Sequence, residues 1–291
     1  MKTRYSFGGD EHVFAQCAED MSLSTWMKVA AIGDAIREAD IPGVTEVCAV
    51  NNTYMVRFDP DVIPPQEVLE RLQFIEQDAS KASSPVLETR IVEIPVQYND
   101  PYTNAVAQKF RSRHQDPSAS DIEYVARING YATVDDLIAA HHGSPWIITA
   151  IGFVPGTPGL CQLVPRSKQI QAPKYLQPRT ETPKLTLGFG GCSSCIYPMA
   201  GAGGFQMLGI VAIPIYDPTQ RINYLRDEMC LFKPGDIVKF KPLDSDEYGA
   251  VQRQIEDNIY TLKVQPVTFS LDTAEADMAA VNAGLMRALD D

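Results

Sequence analysis

No stretch of the 291-residue chain approaches the roughly 18 to 20 apolar residues that a bilayer-crossing helix needs, so membrane insertion is excluded. The opening Met-Lys-Thr-Arg is followed by no apolar h-region, and no secretion signal is expected. Cysteine is sparse: Cys17, Cys48, Cys161, Cys192, Cys195 and Cys230 are scattered rather than spaced as a disulfide framework. Reduced thiols and a cytoplasmic location follow as expectations. Positive charge is also short, with 25 Lys and Arg against 37 Asp and Glu and a formal net charge of −12. Neither nucleic acid nor an anionic membrane surface is therefore an expected partner. Internal repeats and low-complexity tracts are absent, which disfavours an architecture built by duplication.

What is present is a globular composition, 45% hydrophobic and 21% charged, in a chain long enough for two cores. Leu23, Trp26, Val29, Ile32, Ile36 and Ala39 recur at helical steps and predict an amphipathic helix ended by Pro42-Gly43. Val44 to Val50 and Tyr54 to Phe58 read as a hairpin turning at Asn51-Asn52-Thr53. A second helix starts at Pro64-Pro65 and buries Val68, Leu69, Leu72 and Ile75. With two strands before the first helix, residues 1–84 form a small α/β domain. The polar run from Asp78 to Pro85 has no periodicity and marks the boundary.

Residues 85–270 form the second domain. A strand from Thr89 to Val96 leads into a helical insertion near 99–143, in which Gly130 reads as a helix C-cap and Thr133 with Asp136 as a capping box. Beyond Trp146 come short β runs broken by Gly and Pro: Ile147 to Phe153, Leu185 to Gly188, Cys195 to Tyr197, Phe205 to Val211 and Ile237 to Phe240. Such a pattern predicts a closed or nearly closed β structure. Residues 271–291 read as a terminal helix with a flexible or partner-docking role.

Several groups carry chemical potential. Gly152-Phe153-Val154-Pro155-Gly156-Thr157-Pro158-Gly159 fixes an irregular loop after an apolar strand, either a plain connection or a place where backbone approaches a ligand. Arg166, Lys168, Lys174 and Arg179 interleave with prolines and either hold an anion or form ordinary solvated surface. Cys192-Ser193-Ser194-Cys195 lacks the further ligands of a zinc site and precedes no helix, so neither metal nor redox use is expected. Ser193 and Ser194 have no base at a telling spacing among His12, His114, His141 and His142. The pair His141-His142 reads as a helix C-cap favoured as imidazolium. Gly201-Ala202-Gly203-Gly204 is followed by no Gly-Lys-Ser/Thr, which argues against a nucleotide site of its own. Met27-Lys28 lies inside the helical pattern, which argues against biotin attachment at Lys28.

The run of Gly152-Phe153-x-Pro155-Gly156-x-Pro158, Pro165-Arg166, Pro178-Arg179, Ile196-Tyr197-Pro198, Gly203-Gly204-Phe205-Gln206-x-x-Gly209 and Pro234-Gly235-Asp236-x-Val238-x-Phe240 resembles allophanate hydrolase subunit 1. That family includes the B subunit of the bacterial ATP-dependent 5-oxoprolinase and half of the carboxyltransferase domain of urea carboxylase. Ile41-Pro42-Gly43-Val44-Thr45-Glu46-Val47 and Phe58-Asp59-Pro60 extend the resemblance over the N-terminal domain. The implied fold is α+β: a ferredoxin-like α/β domain followed by a cyclophilin-like β-barrel domain.

The 5-oxoprolinase B subunits usually carry Pro-Gly-Phe-Pro-Tyr-Leu where this chain has Pro155-Gly156-Thr157-Pro158-Gly159-Leu160. They also carry a shorter segment than Gly190 to Pro198. Lys174-Tyr175-x-x-x-Arg179-Thr180-x-Thr182-Pro183 and Cys195-Ile196-Tyr197 look more like the urea-carboxylase branch. The resemblance thus implies the first subunit of a heteromeric carboxyltransferase acting on a small amide and inactive alone. Its active site would be shared with a homologous second subunit, of the type of allophanate hydrolase subunit 2 or the 5-oxoprolinase C subunit. A biotin carboxylase, a biotin carrier or a third subunit would complete the system, with biotin on a partner or ATP at the level of the complex and no cofactor covalently bound here. Arg179, Lys174 and Tyr197 are the implied catalytic residues. Phe153, Gly156, Pro158, Arg166 and Gln206 are the implied substrate-binding residues, and no metal site is expected. Two alternatives are the B subunit of an ATP-dependent 5-oxoprolinase and a regulatory module resembling a kinase inhibitor of spore-forming bacteria.

Overall fold

Alternating burial along His12–Gln16 and Thr53–Phe58 shows the two-residue period of strands with one covered face. The computed structural model describes residues 2–79 and 86–290. It divides into two units, Met1–Leu87 with Phe269–Glu275, and Glu88–Thr268 with Ala276–Asp291. Of the polar segment expected as a linker, Asp78 and Ala79 close a helix and residues 80–85 lie outside the described residues.

The first unit runs β1 (Arg4–Gly8), β2 (His12–Gln16), α1 (Leu23–Glu38), β3 (Val44–Val50), β4 (Thr53–Phe58) and α2 (Pro65–Ala79). The sheet is antiparallel in the order β1-β2-β4-β3. This is the ferredoxin-like arrangement with its outer strand supplied from the N-terminus rather than after the second helix. Ser22 caps α1. Val29, Ile32 and Ile36 from α1 join Val68 and Leu72 from α2 over Val13, Tyr54, Val56 and Phe58. Asn51 takes a positive φ of 51° in the β3–β4 turn, a conformation that asparagine tolerates.

The second unit contains β5 (Val86–Tyr98, entering from the first), α3 (Pro101–Lys109), α4 (Asp121–Ile128) and α5 (Val134–His142). Next come β6 (Trp146–Ile151), β7 (Pro158–Gln162), β8 (Arg179–Thr182), β9 (Thr186–Gly190), β10 (Ser193–Ile196), β11 (Gly201–Gly203), β12 (Gln206–Val211) and β13 (Ile237–Pro242). The chain ends with α6 (Ser245–Glu256), β14 (Val264–Ser270), α7 (Leu271–Ala276) and α8 (Met278–Arg287).

The order β12-β9-β10-β7-β6-β13-β5 closes through pairing of β12 with β5, giving a seven-stranded barrel, and β14 adds to the free length of β5. The fold is therefore α+β with a barrel, as the resemblance implies. Closure leaves no free edge within the ring and lets Trp146, Phe189, Phe240, Ile94 and Leu208 fill it. Gly209 permits the β12–β5 seam, because a Cβ there would lie 2.4 Å from the Gln97 carbonyl oxygen.

Two helices occupy the stretch expected as one terminal helix. Asp277, with φ −151° and ψ 82°, breaks the run and caps α8. Phe269, Leu271 and Ala274 are buried, and their segment clusters with the first unit.

Candidate active site

The short pair β8–β11 sets Arg179 opposite Gly203 and Thr182 opposite Gly201. Arg179 is wholly buried. Its Nη1 donates to the Phe205 carbonyl at 2.8 Å and its Nη2 to Thr182 Oγ1 at 3.2 Å. Its Cζ lies 4.4 Å from the centre of the Tyr175 ring. Burial raises the Tyr197 phenol above its ordinary value, against the lowering pull of the nearby Arg179 charge and of the Phe205 backbone. Gly203 lets that phenol approach, since a Cβ would stand 2.5 Å from the Tyr197 hydroxyl.

Gln206, also fully buried, donates from Nε2 to the Pro173 carbonyl at 2.8 Å. A carbonyl can only accept, so the other end of the amide is the oxygen, and His114 Nε2 at 2.7 Å must carry a proton and donate to it. The Asp116 amide lies 2.9 Å from His114 Nδ1. Nearby, Asp121 Oδ1 accepts from Tyr175 OH at 2.6 Å and from Arg111 Nη2 at 2.8 Å. Its Oδ2 accepts from the Met207 amide at 2.8 Å and lies 4.0 Å from Arg179.

Two buried guanidiniums thus share one buried carboxylate, and each keeps an Nε without a hydrogen-bond partner among the described residues. At the surface Lys174 is exposed, with Nζ 5.2 Å from the centre of the Phe205 ring. The arrangement places an exposed cation and a buried phenol beside a turn, Gly203–Phe205, with positive charge held behind it.

The profile of the carboxyltransferase domain, subdomain C and D, matches residues 3–225. The chain belongs to this family. It is 30% identical to the 5-oxoprolinase B subunit of Escherichia coli O157:H7 over 235 residues, 80% of this chain and 93% of that one. It is 21% identical to the urea amidolyase of Saccharomyces cerevisiae over 273 residues, covering 92% of this chain and 15% of that protein. Its fold superposes on the urea carboxylase of Kluyveromyces lactis with a TM-score of 0.81 at 19% identity, over 99% of this chain and 26% of that one. The chain thus spans about a quarter of the solved urea carboxylase. These relatives are enzymes or parts of enzymes by name.

In this carboxyltransferase domain the expected site residues separate into two groups. Arg179, Lys174, Tyr197 and Gln206 come together. Among the described residues, no hydrogen bond, ion pair or ring contact ties Phe153, Gly156, Pro158 or Arg166 to them. Phe153 is 85% exposed at a positive φ of 70°, strained for an aromatic residue. Gly156 is buried, and a Cβ there would meet the Tyr216 side chain at 3.2 Å. Pro158 is buried at the start of β7, while Arg166 is exposed in a 3-10 turn.

Arg179 and Gln206 both lie in the interior, with the hydrogen bonds of Arg179 going to the Phe205 carbonyl and Thr182 and those of Gln206 to the Pro173 carbonyl and His114. Asp121, Arg111, His114 and Tyr175 were missed by sequence reasoning. Tyr175 stood within the Lys174 to Pro183 run quoted above without a role of its own, and Asp121 carried a local signal in the capping box of Ser120 and Glu123 at the start of α4.

His141 does not act as an exposed helix cap. Its ring is buried against Trp146 at 4.5 Å and Phe240 at 5.0 Å, with Nδ1 2.9 Å from the Tyr98 hydroxyl. Burial, aided by His142, pushes it down to about 3, so an imidazolium is disfavoured there. Ser194 Oγ donates to the Gly188 carbonyl and Ser193 Oγ to that of Leu160, so both hydroxyls are engaged by backbone. Cys195 is buried, its thiol raised to about 12 by burial, and Cys192 is exposed. Among the described residues, no three His, Cys, Asp or Glu side chains stand together as metal ligands.

Proposed function

We propose that this chain is the first subunit of a heteromeric carboxyltransferase of the urea-carboxylase type, which moves a carboxyl group onto a small amide in a site completed by a homologous second subunit. The observation that carries this reading is the exposed Lys174 ammonium beside Phe205, backed by the Tyr197 phenol and the buried Arg179. Lys174 neutralises the carboxylate of the incoming group. Tyr197 donates its hydroxyl proton in a hydrogen bond to the amide carbonyl, and the positive charge of the nearby Arg179 favours the electron-rich form of the oxygen. Gln206 and His114 hold the turn rather than the substrate. Phe153 and Arg166, both exposed, offer side chains to the substrate or to the second subunit, and Gly156 and Pro158 shape their loop.

Carboxylated biotin, carried by a partner, would supply the activated carboxyl group. Lys28 lies within α1 rather than at a hairpin tip, so it does not fit as a biotin attachment point on this chain. Gly201–Gly203 lies in β11, with β12 rather than a helix next, which does not fit a phosphate loop, and ATP is assigned to partner subunits. All six cysteines are free thiols, in keeping with a cytoplasmic setting.

The second reading is the B subunit of an ATP-dependent 5-oxoprolinase, favoured by the 30% identity across 93% of the Escherichia coli protein. Co-purification with the product of the neighbouring gene, followed by turnover assays on urea, guanidine-like amides and 5-oxoproline, separates the two. Turnover of an amide that depends on bicarbonate and a biotin carrier is expected. ATP-driven opening of 5-oxoproline without either would overturn the proposal in favour of the lactam hydrolase.

A further inference from the structure

Lys174 is exposed and belongs to no helix or strand, and the turn that it faces, Gly203–Phe205, joins two strands. Side chains at such places wander unless something rigid ties both segments down. Asp121 touches both. It opens α4, its side chain is wholly buried, and its two oxygens divide between the segments. Oδ1 accepts from the hydroxyl of Tyr175, the residue after Lys174, at 2.6 Å. Oδ2 accepts from the amide of Met207, which closely follows the turn, at 2.8 Å.

Arg111 completes the brace. It donates to Asp121 at 2.8 Å, to the Ala119 carbonyl at 2.7 Å and to Tyr175 OH at 3.2 Å. The Tyr175 amide meets the Gly204 carbonyl at 2.7 Å, a direct tie from the Lys174 segment to the turn. The Tyr175 ring in turn carries the Arg179 guanidinium. A buried ion pair adds little stability over apolar residues of the same volume, so stability alone does not account for a carboxylate placed here.

We propose that Asp121 is a positioning residue: acting through Tyr175 and Met207, it fixes the Lys174 ammonium against the Gly203–Phe205 turn without touching substrate. The inference rests on the assignment of Lys174 to the substrate, and the test separates the two. Asp121→Asn strands Arg111 in the interior and is liable to unfold the barrel, so Tyr175→Phe is the deciding variant. It removes the tie from Asp121 to the Lys174 segment and leaves the Tyr175 amide on Gly204 and the bonds of Asp121 to Arg111 and Met207.

The first readout needs no activity: acylation of Lys174 by an amine-reactive reagent in the full chain, followed by peptide mass spectrometry with Lys28 as internal reference. Loss of the bond to Asp121 is expected to speed Lys174 modification about threefold with Lys28 unchanged. The second readout is steady-state kinetics of the assembled enzyme, where kcat is expected to fall about tenfold or more with KM nearly constant, as for a misplaced reacting group. Unchanged Lys174 labelling overturns the positioning role whatever the kinetics. Faster labelling with an unchanged kcat upholds the brace and removes Lys174 from the reaction, which is failure of the functional assignment instead.

Discussion

Arg179 and Lys174 are close in sequence and opposite in exposure, and this separates what each substitution does. Arg179 has its Nη donors spent on Phe205 and Thr182 in the interior. Its loss leaves those acceptors unpaired and removes a countercharge near Asp121. Arg179→Ala is therefore expected to cost on the order of 3 kcal/mol in urea unfolding, because a buried network is broken from one side. Lys174→Ala touches only an exposed side chain, and its unfolding midpoint is expected to match that of the parent. Equal midpoints for the two variants would contradict the buried role of Arg179. The residues that were hard to read are instructive. Arg111 and His114, Asp121, and Tyr175 lie on three different segments, and each looks ordinary alone. Only the chain path through α3, α4 and β8 makes them neighbours, and no local spacing encodes that path.

At the scale of elements, the first unit was legible because α1, α2 and the β3–β4 hairpin carry strong periodicity and unambiguous turn residues. The capping box of Thr133 and Asp136 was equally readable and is present. By contrast, β7 was hidden inside an apparent irregular loop, because Pro158 and Gly159 suppress strand signals although both pair with β6. Helix α6 passed unnoticed despite its own capping box, Asp244 with Glu247, since its surface is mostly polar. The element that matters most for the site is α4, which presents Asp121 from its first turn. Ser120 Oγ accepts from the Glu123 amide and the Glu123 carboxylate returns the bond, which also lowers the carboxyl below its usual range. Ser120→Ala is expected to lower stability by about 1 kcal/mol. Faster hydrogen exchange at the Glu123 amide would locate the loss, and an unchanged rate there would refute it.

The whole molecule carries a pH dependence set by a group outside the site. Unfolded His141 takes up a proton near its ordinary value of about 6.5, whereas the buried ring does so only near 3. The unfolded state thus binds the extra proton first. Stability from this group is full above about 6.5 and falls as the pH drops toward about 3, by up to about 1.4 kcal/mol per pH unit. Urea midpoints measured from neutral pH down to about pH 5, above the ordinary carboxylate range, should decline in the parent and stay flatter in His141→Leu. Parallel declines would remove His141 as the cause.

The central claim is that the barrel rim around Lys174 and Tyr197 is half of a carboxyl-transfer site completed by another polypeptide. Transfer of carbon-labelled bicarbonate into an amide product, with the second subunit and a carboxylated biotin carrier present, tests it most directly. Label should appear only when both subunits are present, and its rate should fall about a hundredfold in Lys174→Ala. Full-rate transfer by the Lys174→Ala complex, or transfer by either subunit alone, would contradict the account.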